Sequence, residues 1–80
     1  MPTIYRESGF AFRIYTDDHD PPHVHVRYAG ERAKVRIGDE ETPASVEDAG
    51  IMRVPNLVRA VRIVDANWRL FLERWEEIHG

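Results

Sequence analysis

Phe10, Phe12 and Ile14 alternate with Ala11, Arg13 and Tyr15. A period of two sends successive side chains to opposite faces of a strand, so this stretch predicts a strand buried on one side. Val24, Val26 and Tyr28 alternate in the same way with His23, His25 and Arg27, and Ala33, Val35 and Ile37 with Arg32, Lys34 and Arg36. A shorter apolar-polar stretch, residues 2–7, runs into the turn pair Ser8-Gly9, and Ala29-Gly30 punctuates the chain again. Residues 16–22 cannot continue a strand, because the consecutive Pro21 and Pro22 donate no ladder hydrogen bonds. Residues 38–50 are loop-rich, with one short strand at 44–47.

From Pro55 the period changes. Leu57, Val61, Val64, Trp68, Phe71, Trp75 and Ile78 recur at spacings of four and three, with Val58 and Leu72 widening the stripe. Pro55 suits a first helical turn, where its missing N–H costs nothing. The stripe predicts a single helix over 55–79, about 37 Å long at 1.5 Å per residue. A six-residue strand spans only about 20 Å. The helix should therefore overhang the sheet, and its free end predicts a homodimer contact or a small cognate partner protein. The expected fold is α+β: an antiparallel meander of three to five strands with one long C-terminal helix packed on one face, forming a single domain over 1–80.

Composition narrows the function. Eighty residues make one domain with a small core. The absence of cysteine excludes disulfides, thiolate metal sites and thiol nucleophiles. No apolar run approaches the roughly 18 residues of a membrane span and no charged-then-apolar leader opens the sequence, so a soluble, cytoplasmic protein is expected. The net charge of −3 argues against a general nucleic-acid coat protein. Its distribution says more. Asp17, Asp18 and Asp20 form one acidic knot, and Asp39, Glu40 and Glu41 another, with Glu47 and Asp48 behind. Between the knots lie Arg27, Arg32, Lys34 and Arg36, opposed only by Glu31.

One helix covers one face of a sheet. The other face then carries Arg13, Tyr15, His23, His25, Arg27, Arg32, Lys34 and Arg36. With Ala29-Gly30 as a two-residue loop, His25 faces Lys34, Arg27 faces Arg32 and His23 faces Arg36. Like charges directly across a ladder are destabilising, so a face that gathers them is suited to an anion, phosphate being the commonest. The plain alternative is that these cations serve solubility and edge protection.

His19, His23 and His25 fall within seven residues. His-Val-His on a strand puts both imidazoles on one side. Two chemistries use such a cluster. In a metal site, a divalent ion such as zinc would take His23 and His25, with His19, Asp18 or Asp20 completing the shell. In cofactor-free acid–base catalysis, His25 and His23 would be the proton-transfer pair with His19 beside them, and Arg27, Lys34 and Arg36 would clamp phosphate. Core packing or loop capping is the remaining, structural role. Arginine-rich surroundings suit an anion better than a metal cation, so anion chemistry is the preferred expectation.

The run Asp18-His19-Asp20-Pro21-Pro22-His23-Val24-His25-Val26-Arg27-Tyr28 closely resembles the hallmark of a widespread prokaryotic family, the domain of unknown function numbered 4160. Met1-Pro2-Thr3-Ile4, Glu31-Arg32-Ala33-Lys34, Val54-Pro55 and Trp75 also fit, and the acidic stretch 39–48 matches least. The resemblance implies a β-rich N-terminal half followed by a C-terminal helix. Genes of such proteins often neighbour another small uncharacterised family, which implies a toxin–antitoxin pairing by association alone. An N-terminal proline is also the base of small tautomerases, but those chains place a helix straight after the first strand, where this one has strand pattern. The expectation is a small cytoplasmic module binding RNA or a nucleotide, with toxin-like ribonuclease activity as its catalytic form. The alternatives are a metal-binding or metal-dependent protein and a non-enzymatic partner-binding protein.

Overall fold

The computed structural model describes residues 3–80; Pro2, and with it the start of the first expected strand and the tautomerase comparison, lies outside them. Among the described residues, five strands form one antiparallel sheet in sequence order: β1 (Thr3–Glu7), β2 (Phe10–Arg13), β3 (His23–Tyr28), β4 (Glu31–Arg36) and β5 (Ser45–Asp48). Two hairpins close on two-residue loops. Glu7 pairs with Phe10 across Ser8-Gly9, and Tyr28 with Glu31 across Ala29-Gly30. All four loop residues have positive φ, between 49° and 84°. That is the turn whose twist matches two right-twisted strands, and glycine in its second position adopts it without a Cβ clash.

The alternation has the structural meaning the sequence suggests. Phe10, Phe12, Ile14, Val24, Val26, Ala33, Val35 and Ile37 are buried together in one cluster with residues from the C-terminal helical segment. Phe12 and Tyr5 tie the sheet to that segment, with rings 5.3 and 5.5 Å from Phe71, and within the sheet Tyr28 stacks on Phe10 at 4.1 Å. The guanidinium of Arg59 covers both Phe10 and Tyr28.

The single helix over 55–79 is corrected to two: α1 (Val54–Ala66) and α2 (Trp68–His79), broken at Asn67. Asn67 has φ −124° and ψ 22°. Its backbone N–H is shared between the carbonyls of Ile63 and Val64, and its side-chain Nδ2 donates to Ile63 O at 2.8 Å. An amide side chain that bonds the preceding turn competes with the helical ladder, and here it caps α1. The geometric ground for an overhang disappears with the straight helix. A rod of about 37 Å would exceed the longest dimension of the described chain, 32 Å. Instead Phe71 and Trp75 of α2 are buried, as are Ala60, Ile63 and Val64 of α1.

The acidic stretch also acquires structure. Asp39 Oδ1 accepts hydrogen bonds from the N–H groups of Glu41 and Thr42, closing a tight loop, and Asp65 of α1 accepts one from the N–H of Ala44. β5 then pairs with β4 and places Asp48 opposite Lys34, while Glu47 forms an ion pair with Arg36.

Candidate functional site: a histidine–aspartate cluster beside a basic cleft

The sheet face away from the helices is built by the β2–β3–β4 register. Arg13 pairs with His25, His25 with Lys34, Arg27 with Arg32 and His23 with Arg36. These pairs face each other as the alternation requires. Arg27, Arg32 and Lys34 are exposed, and Tyr15 and Arg13 half-buried. Together with His25, Asp48 and Gly50 they line a cleft of about 350 Å³. Glu31, the one acid in the basic stretch, is not among them. Its carboxylate accepts hydrogen bonds from the N–H of Arg53 and the side chain of Asn56 at the start of α1. Arg36 lies outside the cleft lining and is engaged by Glu47, so the clamp expected there is already paired within the chain. Asp48, the cleft's only lining carboxylate among the described residues, accepts a hydrogen bond from the N–H of Gly50.

At one end of the cleft the loop before β3 brings a carboxylate to the histidines. The N–H of Tyr15 donates to Asp18 Oδ2 at 2.9 Å, and the N–H of Asp18 donates back to the Tyr15 carbonyl at 3.1 Å. So held, Asp18 takes His25 Nε2 at 2.9 and 3.1 Å from its two oxygens, with His23 Nε2 3.6 Å from Oδ1. His23 is buried, and its Nδ1 donates to the Pro21 carbonyl at 2.9 Å. Its ring lies 5.2 Å from His25 and 5.4 Å from Trp75, which in turn carries His79 at 4.0 Å. The end of α2 thus backs the histidines. Tyr15 meets His25 edge-on at 4.5 Å.

Burial acts to raise the pKa of Asp18. The Tyr15 N–H, the His25 hydrogen bond and the charges of His25 and His23 outweigh it and hold the carboxyl below the usual range.

Of the three histidines singled out from sequence, His23 and His25 converge, whereas His19 is exposed and stands outside their group. Asp18 occupies the third place. The sequence offered it only as one of three candidates, because nothing in a Thr-Asp-Asp-His-Asp-Pro-Pro string says which side chain the loop turns inward. Asp48 and Gly50 at the cleft wall carried no signal of their own; they arrive through the β4–β5 pairing.

No curated protein and no solved structure matches the chain. A family model does match, over residues 9–76, a span holding the proline-histidine run, the cleft residues, all of α1 and most of α2. The chain therefore belongs to the family described as a domain of unknown function (DUF4160).

Proposed function

We propose that the protein binds a phosphate-bearing anion, RNA or a nucleotide, in the cleft on its open sheet face. One observation carries this: Arg13, Arg27, Arg32 and Lys34 line one recess of about 350 Å³ in which, among the described residues, Asp48 is the single carboxylate. Arginine forks match phosphate oxygens in pairs, and Tyr15 adds an aromatic surface at the rim. His25 Nε2 is held by Asp18, which leaves Nδ1 as its other ring nitrogen for a hydrogen bond to ligand. His23 has Nδ1 bonded to the Pro21 carbonyl and Nε2 facing Asp18, so the expected acid–base pair lacks a second ring nitrogen directed at a cleft ligand, and the proposal is binding rather than cleavage.

The test is fluorescence anisotropy of a labelled RNA oligonucleotide, with unlabelled nucleotides as competitors, across a salt series in EDTA. Affinity should fall with salt, and Arg27→Ala and Arg32→Ala should each weaken binding and flatten the salt slope by about one unit. Thermal stability should change by no more than about 0.5 kcal/mol, since both side chains are exposed. An absence of binding at low salt, or an affinity indifferent to both substitutions, would overturn it.

A further inference from the structure

Beyond the anion cleft, and independent of what it binds, the geometry points to a site for one divalent transition-metal ion held by Asp18, His23 and His25. The donor atoms of these three side chains all lie within 4.8 Å of one another. Two nitrogens bound at about 2.1 Å in tetrahedral geometry stand about 3.4 Å apart, and a nitrogen and an oxygen nearly the same. The observed separations from Asp18 Oδ1, 2.9 Å to His25 and 3.6 Å to His23, bracket that value.

The hydrogen bonds around the cluster are those of a ligand set. A carbonyl only accepts, so the bond to Pro21 O places a proton on His23 Nδ1 and fixes the ring. In the neutral imidazole Nε2 then carries the lone pair, and it points at a carboxylate oxygen 3.6 Å away, beyond hydrogen-bond distance. Where the imidazole is neutral, that lone pair and the carboxylate oxygen repel unless positive charge lies between them, and a metal ion held by Nε2 and Oδ1 supplies it. Metal-binding histidines commonly donate their second nitrogen to a backbone carbonyl in this way, and ligating carboxylates are themselves hydrogen-bonded, as Asp18 is by the Tyr15 N–H.

The arginine-rich surroundings oppose a cation less than the sequence implies. Arg36, opposite His23, is ion-paired with Glu47, which leaves Arg13 and Lys34, the neighbours of His25, as the cations nearest the cluster. Two imidazoles with one carboxylate and no thiolate favour zinc, iron(II), cobalt(II) or manganese(II) over a soft or an all-oxygen ion. Three protein donors leave further coordination positions for water or ligand.

The experiment strips the purified full chain with EDTA, exchanges it into metal-free buffer and titrates zinc by calorimetry and cobalt(II) by visible absorption. One equivalent should bind, raise the melting temperature and give cobalt d–d bands of nitrogen–oxygen coordination. Asp18→Asn and His25→Ala should each weaken binding by more than about tenfold, while His19→Ala and His79→Ala leave it unchanged. His23→Gln tests the buried ligand; if it unfolds, Asp18→Asn and His25→Ala, checked by circular dichroism, decide alone. No saturable binding by the stripped protein, or binding lost in His19→Ala and retained in Asp18→Asn, would overturn the site. RNA binding in EDTA is read separately, so either proposal can fail without the other.

Discussion

Glu31 shows how one residue can be legible in composition and misleading in role. Within the basic stretch it reads as the acid that tempers Arg27, Arg32 and Lys34. In the fold it turns to the helix side, and bonds from the Arg53 N–H and Asn56, with the charge of Arg53, hold its carboxyl below the usual range despite some burial. A depressed folded pKa contributes stability that is present above the unfolded value and lost as pH falls through the folded one. Urea midpoints should therefore drop below about pH 4, and Glu31→Gln should make that acid limb shallower. A limb of unchanged steepness in the variant would show that the α1 start does not depend on this charge. Asp18 and His19 mark the converse limit. Period two sets His23 and His25 on one face whatever the loop does, but the choice between neighbouring Asp18 and His19 rests on the Tyr15–Asp18 turn, which no periodicity reports.

At the scale of elements, the hairpins were legible because Ser8-Gly9 and Ala29-Gly30 stand at the ends of alternating runs, and turn chemistry there fixes register as well as position. The helical break was not. Trp68, Phe71 and Trp75 continue the spacing of Leu57, Val61 and Val64 across Asn67, so the apolar stripe is continuous where the backbone is not. The break makes a prediction whose sign discriminates. In an uninterrupted helix, Asn67→Ala would stabilise by about 0.5 kcal/mol through helix propensity. With Asn67 capping α1 through Ile63 O, the same change should destabilise by about 0.5–1.5 kcal/mol, read from denaturant midpoints at constant m-value.

For the whole molecule, the meander explains why one short chain can hold a core and a polar site back to back. Every strand pairs with its sequence neighbour, so the face opposite the helices is a continuous surface of β2, β3 and β4 side chains. α2 closes the core below and reaches the histidine end through Trp75. The cleft cations and the histidine cluster share this face through His25, which both lines the cleft and bonds Asp18. A metal ion at the cluster would add positive charge beside the anion site, so the two proposals are electrostatically compatible.

β5 carries a last consequence, in the language of assembly. It is a four-residue strand at the border of the sheet, exposed along its length, with Val46 nearly half accessible. Such a border offers unpaired backbone groups to another chain, and acidic side chains are one means of repelling it. Glu47, besides pairing with Arg36, and Asp48 place negative charge along that border, where it opposes the approach of a neighbouring strand. Replacing both by threonine, a good strand former without charge, should leave the fold recognisable by circular dichroism. It should nevertheless shift the protein toward concentration-dependent, sheet-rich aggregates in light scattering and thioflavin fluorescence. If the doubly substituted protein stays as dispersed as the parent, the acidic segment is not what keeps neighbouring copies apart.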